Sequence, residues 1–399
     1  MHTELHEDLR DTAQGRRAQQ ILRNCVHCGF CNATCPTYQI TGDELDGPRG
    51  RIYLIKEVLE SGSGNPTAQR HLDRCLTCRA CETTCPSGVA YGELLEIGRS
   101  IVDQSQRRSW FARGVRRWLM SVVPNPRRFR AWARFGGWFR WMLPGRLRSA
   151  LPRVTRSKPT DRRSHARRVL VLQGCVQQVA TPQANASLAE LLDARGFEVV
   201  YADGEVCCGS LNLHLGARER ALADVRQNID ALTPYLENVE AVVSTASGCG
   251  VTIKDYPRLL VDDANYGPRA AALARKFQDA SEFVTVENLA CRKIDGVERV
   301  AWQAPCTLQH GQQITGVVEN LLLSAGYELV PVSDAHLCCG SAGTYSLLEP
   351  QLSAELRDRK LAALCAHEPD VIATANVGCQ MHLSGASDVA VRHWLELLQ

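Results

Sequence analysis

Two runs of four cysteines near the amino terminus constrain this chain more than any other feature. Each run has the spacing C-x2-C-x2-C-x3-C and is followed directly by proline. The first run contains Cys25, Cys28, Cys31 and Cys35, and the second contains Cys75, Cys78, Cys81 and Cys85. Thiols placed so regularly indicate a bound inorganic centre that organises the backbone around them. We therefore expect the first hundred residues to fold around these eight side chains.

The spacing within each run is that of bacterial ferredoxins, which hold [4Fe-4S] clusters. Three thiolates at two-residue intervals can surround one cluster, while the fourth, held by the proline turn, points away. In two-cluster ferredoxins that fourth cysteine ligates the other cluster. The predicted ligands are therefore Cys25, Cys28, Cys31 and Cys85 for cluster 1, and Cys75, Cys78, Cys81 and Cys35 for cluster 2. Two structural zinc sites are the alternative, but they would leave the third cysteine spacing and both prolines unexplained.

The whole chain contains 18 cysteines in 399 residues, and they fall in clusters, which favours metal ligation over a disulfide scaffold. The initial residues MHTELHEDLR have no apolar core typical of a signal peptide. We expect a cytoplasmic protein, since thiolates persist in that reducing compartment. Apolar stretches are all shorter than the roughly 18 residues of a membrane span. His27, inside the first cysteine loop, is expected to be a surface or packing residue.

From about residue 168 the chain repeats itself. The first copy contains Cys175, the triplet Cys207-Cys208-Gly209, and Cys249. The second copy contains Cys306, Cys338-Cys339-Gly340 and Cys379, at offsets of 131, 131 and 130 residues. Each copy reads as strand, helix, strand, helix, strand, and three strands joined by helices favour parallel pairing. The cysteines would then follow the carboxyl ends of strands and converge at one edge of each sheet.

Each repeated CCG triplet is a poor disulfide because neighbouring cysteines cannot easily adopt the required dihedral angle. We interpret it as two ligands on one tight turn, with the glycine allowing the backbone to approach a metal. Four thiolates per copy could hold a further cluster or a zinc ion, and a redox dithiol or a relic of duplication stays open. The second copy is the better candidate because it adds His310 and His382, where the first has Val179 and Thr252. Cys291 and Cys365 have no repeat partners and are interpreted as ordinary thiols.

The predicted fold is an α-helical two-cluster ferredoxin domain followed by a duplicated α/β CCG cysteine-rich domain with parallel sheets. Four segments result: 1–106 is the ferredoxin domain, 107–167 is a basic tryptophan-rich connector, 168–290 is the first CCG repeat and 291–399 is the second. Net positive charge is concentrated at the connector. Between Arg107 and Arg168 there are 18 Arg and one Lys against one acid.

The connector interleaves arginine with aromatic residues, a pattern typical of helices that lie on anionic membranes. We expect residues 107–148 to contact the inner face of the cell membrane peripherally or to bind a partner subunit. Its predicted interfacial anchors are Trp110, Trp118, Trp132, Trp138 and Trp141. Nucleic-acid binding is the competing interpretation, but no other feature of the sequence indicates it.

Over nearly its full length the sequence resembles the iron-sulfur subunits of glycolate dehydrogenase (glycolate oxidase), with relatives in anaerobic glycerol-3-phosphate and lactate dehydrogenases. The matching stretches are CVHCGFCNATCPTYQ, GDELDGPRGRIYLIK, HLDRCLTCRACETTCPSG, TASGCG, PCTLQH, HLCCGSAGTY and VRHW. This resemblance implies a complex in which a subunit containing FAD oxidises glycolate to glyoxylate. The present chain would then be a non-catalytic electron-transfer subunit that passes electrons toward quinone.

The sequence itself is consistent with that division of labour, since it has no GxGxxG dinucleotide loop after a strand and no obvious base for a hydroxyacid. Related heterodisulfide reductase subunits carry one further cysteine three positions after the equivalents of Cys249 and Cys379. Here Thr252 and His382 occupy those positions, so the five-thiolate cluster of those relatives is in doubt. A heterodisulfide-reductase-like enzyme, a related lactate or glycerol-3-phosphate dehydrogenase subunit, and a zinc-stabilised binding module remain the alternatives.

Overall fold

Both amino-terminal cysteine runs lie in a helical domain. The computed structural model describes residues 1–138, 141, 164–287 and 291–399. In residues 1–106 every regular element is a helix, and the bounds are Glu7–Arg10, Ala13–Asn24, Phe30–Ala33, Pro36–Thr41, Glu44–Asp46 (3-10), Pro48–Ser61, Pro66–Asp73, Ala80–Thr84 and Tyr91–Ser105. The apolar positions predicted at helical spacing, Ile52, Ile55, Val58 and Leu59, are all buried. They pack with Leu94 and Leu95, so the two longest helices form the centre of this domain.

The first repeat is a four-stranded parallel sheet. Its strands are β1 (Arg167–Val171), β2 (Phe197–Val200), β3 (Ala241–Ser244) and β4 (Phe277–Asp279), in the order β2-β1-β3-β4. All three pairings are parallel, and Val169 lies opposite both Val199 and Ala241. The helices are Gln177–Ala180, Gln183–Asp193, Ser210–His214, Arg218–Leu232, Thr233–Asn238 (3-10), Ser247–Lys254, Tyr256–Leu259, Tyr266–Lys276 and Ala280–Val286.

The second repeat reproduces this arrangement. Its strands are β5 (Arg299–Gln303), β6 (Glu328–Leu329), β7 (Val371–Thr374) and β8 (Ala390–His393), in the order β6-β5-β7-β8 and again parallel. The helices are Thr307–Gly311 (one turn of π-helix), Val317–Ser324, Tyr345–Leu348, Pro350–Cys365, Val377–Ser384 and Trp394–Leu397 (3-10). The predicted fold class is confirmed: a helical amino-terminal domain precedes two parallel α/β sheets. Each sheet has one strand more than the three expected from the sequence.

One hydrophobic core crosses the boundary between the repeats. It includes Val169 and Phe283 from the first sheet and Val300, Trp302 and Trp394 from the second. Polar contacts reinforce it, since Ser247 N donates to Ala375 O at 3.1 Å and the hydroxyls of Ser247 and Thr307 lie 2.7 Å apart. The two repeats therefore pack as a unit.

Part of the basic connector forms two amphipathic helices, Trp110–Val122 and Pro126–Trp138, which we call the basic hairpin. Leu119, Val122 and Ala133 are buried and hold it to the rest of the chain. Residues 139–140 and 142–163 of the predicted connector lie outside the described residues. Within the part of the chain that the structure describes, we find no helix long and apolar enough to cross a bilayer.

Candidate iron-sulfur centre and CCG thiol groups

The two cysteine runs fold into loops with the same unusual backbone. His27 and Thr77, at matching positions, both have φ of 55°, and two residues later Gly29 and Arg79 have φ of 83° and 60°. Residues other than glycine rarely adopt positive φ, and such conformations concentrate at ligand-binding sites. A short helix follows each loop, beginning at Phe30 and at Ala80. The sequence repeat is therefore also a conformational repeat.

The thiols predicted for cluster 1 lie together. Cys31 interacts electrostatically with Cys25, Cys85 and Cys28. Burial, followed by these neighbouring thiols, raises the pKa of Cys31 to about 11. Cys85 thus reaches the first run although 54 residues separate it from Cys31 in the sequence. We call Cys25, Cys28, Cys31 and Cys85 thiol group 1.

The thiols predicted for cluster 2 also lie together. Cys81 interacts with Cys78, Cys75 and Cys35, and burial is the main reason that its pKa lies well above the ordinary value. We call Cys35, Cys75, Cys78 and Cys81 thiol group 2. Thiols with a raised pKa keep their protons unless a metal displaces them. Each group offers four soft sulfur donors, which fits a [4Fe-4S] cluster chemically.

Arg51 places a buried positive charge beside thiol group 2. Its Nη1 lies 3.9 Å from Cys35 Sγ, and its Nη2 donates to Thr37 Oγ1 at 3.1 Å. Burial lowers the pKa of Arg51, but the opposing effect of its neighbours is larger, so the net shift is upward and Arg51 stays charged. These neighbours are Cys75, Tyr91, Cys35 and Asp46. A fixed cation here would stabilise the negative charge of a thiolate-ligated cluster. Arg51 was not predicted as a functional residue, although it lies in the stretch GDELDGPRGRIYLIK that carried the family resemblance.

The first repeat brings its four cysteines into one group, which we call the first CCG group. Cys175 follows β1, Cys207 and Cys208 follow β2, and Cys249 follows β3. Cys207 interacts with Cys175 and Cys208, and Cys208 also with Cys249. Because all the strands are parallel, these positions share one edge of the sheet, as the repeat pattern predicted.

The second CCG group is built in the same way. Cys306 interacts with Cys338, Cys338 with Cys339, and Cys339 Sγ lies 3.1 Å from Cys379 Sγ. The contact with Cys306 lowers the pKa of Cys338, but Cys339 and burial raise it, for a net value of about 12. The second CCG group therefore offers four neighbouring sulfur donors, which fits either a cluster or zinc.

The second CCG group touches thiol group 2. Cys306 interacts with Cys78 as well as with Cys338. Leu76 is buried in a small hydrophobic cluster with Cys306 and Cys338, and Cys78 packs against that cluster. The sequence did not predict this contact, because Cys78 and Cys306 are separated by 228 residues and meet only through tertiary packing.

Asn376 connects the two CCG groups. Its Nδ2 lies 3.8 Å from Cys379 Sγ, and its Oδ1 accepts a hydrogen bond from Gly248 N at 3.2 Å. Gly248 directly precedes Cys249, a member of the first CCG group. Thiol group 2 therefore contacts the second CCG group, and the Asn376 amide links the second CCG group to the backbone beside Cys249.

The glycines of both triplets are required by the backbone. Gly209 and Gly340 have φ of 90° and 86°. A Cβ on Gly340 would lie 2.6 Å from Ser353 O, and one on Gly209 would lie 3.1 Å from Ala221 O. Both glycines therefore approach the backbone of a helix later in the same repeat, Arg218–Leu232 for Gly209 and Pro350–Cys365 for Gly340.

The histidines near the second CCG group have other partners. His310 Nδ1 lies 2.9 Å from Thr83 Oγ1, and its Nε2 donates to His336 O at 3.0 Å. His382 Nε2 lies 3.1 Å from Ser353 Oγ. His310 thereby joins the helical domain to the second repeat. These contacts favour a hydrogen-bonding role for both residues.

The other residues considered in the sequence have simple surroundings. His27 Nε2 lies 3.1 Å from Met1 Sδ. Cys291 and Cys365 pack against the hydrophobic cores of the repeats. These placements agree with the interpretation of His27 as a packing residue and of the two cysteines as ordinary thiols.

Comparison with known proteins identifies the same parts of the chain. Residues 21–89 match the family described as "4Fe-4S dicluster domain", and residues 169–254 and 300–384 both match "Cysteine-rich domain". The chain therefore contains the iron-sulfur-binding and cysteine-rich domains expected from its motifs.

Three curated relatives extend this result. The glycolate oxidase iron-sulfur subunit of Escherichia coli K12 is 49% identical over 401 residues, covering 100% of this chain and 98% of that protein. The probable glycolate oxidase iron-sulfur subunit of Bacillus subtilis 168 is 34% identical, over 94% of this chain and 91% of that protein. Lactate utilization protein A of Bacillus velezensis is 28% identical, over 56% of this chain and 95% of that protein.

Proposed function

This chain belongs to the family of glycolate oxidase iron-sulfur subunits, and we propose that it carries electrons from a flavin-containing catalytic subunit toward quinone. In this proposal the partner binds FAD and oxidises glycolate to glyoxylate, which releases two electrons and two protons. The present chain is an oxidoreductase component that handles only the electrons. We retain the proposed four-part division at residues 1–106, 107–167, 168–290 and 291–399.

The observation that carries the proposal is the gathering of the cysteines into groups of four, with group 2 and the second CCG group in contact. Group 1 and group 2 each exchange one cysteine with the other run, which supports the crossed ligand sets for two [4Fe-4S] clusters. Such clusters supply one-electron redox chemistry when bound. Cys78 and Cys306 then connect the helical domain to the second CCG group. A chain whose soft donors are connected in this way is suited to conducting electrons.

We also propose a metal centre at the second CCG group, held by Cys306, Cys338, Cys339 and Cys379. The contact of Cys306 with Cys78 supports a centre here, close to the proposed cluster 2. The first CCG group, with Cys175, Cys207, Cys208 and Cys249, is the weaker candidate: its repeat meets the helical domain through ion pairs such as Arg79–Asp255 at 2.6 Å, whereas the second CCG group meets it through Cys306. The thiols of either CCG group could bind an iron-sulfur cluster or a zinc ion.

The basic hairpin supports a peripheral location on the inner face of the cell membrane. The proposed anchors Trp110, Trp118, Trp132, Trp138 and Trp141 are all exposed. Residues 107–138 contain nine arginines and no acid. Aromatic side chains and arginine together favour the interface of an anionic bilayer, where quinone is dissolved. A cytoplasmic complex docked there would deliver electrons to its acceptor directly.

Anaerobic reconstitution tests the electron-carrying role. The purified chain is mixed with its flavin-containing subunit, glycolate is added, and the visible absorbance and EPR signals of the clusters are followed. We expect glycolate to reduce the clusters only when both proteins are present, and a soluble quinone to reoxidise them. Clusters that stay oxidised while glyoxylate accumulates and quinone is reduced would contradict the proposal.

A Cys306→Ala variant tests the connection between the helical domain and the CCG groups. Glycolate should still reduce both ferredoxin clusters, whereas reoxidation by quinone should slow by about tenfold or more. Cys365→Ala removes a thiol outside both groups and is the matched control. Unchanged reoxidation in Cys306→Ala would place the CCG groups outside the electron path.

A further inference from the structure

The loop that holds thiol group 1 opens onto the protein surface. Cys28 is exposed, whereas the other 17 cysteines, all within described residues, are buried or half-buried. Two large apolar side chains flank it, Val26 with 68% and Phe30 with 61% of their surface exposed. We call Val26, Cys28 and Phe30 the cluster 1 rim. Apolar side chains so exposed around a functional group mark an interaction surface.

In the second cysteine loop, the residues equivalent to the cluster 1 rim are covered by another part of the chain. Leu76 and Ala80 are the counterparts of Val26 and Phe30, fifty residues later in the same backbone conformation. Leu76 is only 4% exposed and Ala80 only 2%. The second CCG repeat covers this loop, since Leu76 packs with Cys306 and Cys338. One of two equivalent loops is therefore buried under a cysteine-bearing redox domain, while the other is bare.

We propose that the cluster 1 rim is the docking surface for the flavin-containing subunit. The partner covers Val26 and Phe30 as the second CCG repeat covers Leu76. This inference rests on the proposed function, because it assigns a surface to the partner that the function requires. It goes beyond that function by giving the electron path a direction, from the rim through groups 1 and 2 to Cys306.

The accessibility of the thiols supports this choice of partner. Electron transfer requires close approach of the two redox groups, and group 2 is covered by the second repeat on the side of Cys78. Cys28 is the exposed thiol of group 1, so an external donor reaches this chain most closely at the rim. Redox partners commonly associate through small surfaces of less than about 1,200 Å². A rim of two apolar residues suits such a contact.

The electron balance of the transfer is simple. Each transfer moves one electron from the partner's reduced flavin to the centre held by group 1, and two transfers return the flavin to its oxidised form. The two protons taken from glycolate leave the flavin for solvent, so the cluster 1 rim needs no proton acceptor. A surface that accepts no protons can be apolar, as the cluster 1 rim is.

The double variant Val26→Glu/Phe30→Glu tests the proposal. Both side chains are exposed, so the helical domain should fold and retain its iron, and dithionite should still reduce the clusters as in wild type. Binding to the purified flavin-containing subunit should weaken at least about tenfold, because two carboxylates would be desolvated at an apolar contact. Cluster reduction by glycolate should slow correspondingly. Phe30→Ser, a milder change, should show a smaller effect in the same direction.

Val261→Glu is the matched control, since Val261 is 73% exposed on the first repeat. It should bind the partner and accept electrons as wild type does. Wild-type binding by both rim variants would overturn the docking proposal. If glycolate fails to reduce even the wild-type clusters in the mixture, the proposed function fails, whereas binding measured by titration still tests the rim.

Discussion

Asp46 is the centre of a buried ionic network behind thiol group 2. Its carboxylate lies 2.7 Å from His71 Nδ1, 2.8 Å from Arg74 Nη1 and 3.6 Å from Arg51 Nη2. Asp46 and Arg51 are almost completely buried. The network holds Arg51 against Cys35, so residues that ligate nothing determine the charge around the proposed cluster 2.

Replacing Asp46 by asparagine should be strongly destabilising. The change leaves Arg51 as a buried cation without its carboxylate, which typically costs about 3–5 kcal/mol. Anaerobic urea unfolding followed by circular dichroism measures this loss. Glu57→Gln, an exposed carboxylate of the same domain, is the control and should change stability by less than about 0.5 kcal/mol. A loss below about 1 kcal/mol in Asp46→Asn would show that the network is not needed.

His393 makes the contact between the repeats sensitive to pH. Its Nε2 donates to Thr245 O at 2.8 Å, and its Nδ1 accepts from Leu395 N. Burial lowers the pKa of His393 to about 4, despite the opposing effect of the Thr245 carbonyl. The unfolded chain, with a histidine pKa near 6.5, binds the proton more readily between these values. Stability from this residue is therefore complete above about pH 6.5 and falls as the pH drops toward 4.

The His393→Gln variant should remove this dependence. Wild-type stability should decline by up to about 1.4 kcal/mol per pH unit below pH 6.5 from this group. The variant should start less stable at pH 7.5 and lose less on acidification. Urea midpoints between pH 7.5 and 5.5 measure both, with His367→Gln, on the surface of the second repeat, as the control. Parallel pH curves for wild type and His393→Gln would contradict this assignment.

At the residue scale, local spacing made the cysteines predictable. Ligands two or three residues apart can be read from the chain without knowledge of the fold. Arg51, Asn376 and the Cys78–Cys306 contact could not be predicted, because each joins parts of the chain that approach only through packing.

The strands also differ in how well the sequence predicts them. Strands β1, β3, β5 and β7 are nearly continuous apolar runs that end before a cysteine, so the sequence predicted them well. β4 has only three residues, and β8 has two exposed or half-buried positions among four. Such short edge strands carry little periodic signal and form because a parallel neighbour supplies their hydrogen bonds. This explains why three strands were predicted in each repeat and four are present.

The basic hairpin has an aromatic surface supported by a small buried face. Trp118 and Trp132 meet edge to face at 5.4 Å, and Trp132 and Phe135 at 5.8 Å. Arg116 anchors the hairpin through Asp73 at 2.9 Å. The exposed aromatic residues are therefore held in place by the fold, as a preformed membrane-binding surface requires.

Neutralising arginines of the basic hairpin should weaken binding to anionic vesicles. Arg113, Arg117 and Arg134 are exposed, and each arginine near such a surface contributes about 1 kcal/mol. Changing all three to glutamine should reduce binding roughly a hundredfold without changing the iron content. Flotation with phosphatidylglycerol vesicles measures this, and neutral phosphatidylcholine vesicles give the lipid control.

The matched protein control changes Arg195, Arg220 and Arg275, three exposed arginines of the first repeat, to glutamine. It alters net charge equally and should float as wild type does. Equal loss in both triple variants would assign binding to overall charge. Full binding by the hairpin variant would direct the proposal toward a partner subunit as the ligand of this surface.

At the scale of the whole molecule, the helical domain contacts both repeats, and the duplication adds two further groups of four thiols to the pair in that domain. The helical domain contacts the second repeat through Cys78 and Cys306, and the repeats contact each other through Asn376. The bare cluster 1 rim and the basic hairpin are then two outward-facing surfaces, one suited to a protein donor and the other to a membrane. The sequence predicted the parts, and their order became visible only in the folded chain.

Metal analysis of the anaerobically purified chain tests the central claim most directly. Iron, acid-labile sulfide and zinc are measured per chain on the same sample. Two clusters held by groups 1 and 2 require about eight irons and eight sulfides, and a cluster at the second CCG group would raise the iron to about twelve. A chain that contains zinc in place of iron and no sulfide would contradict the account.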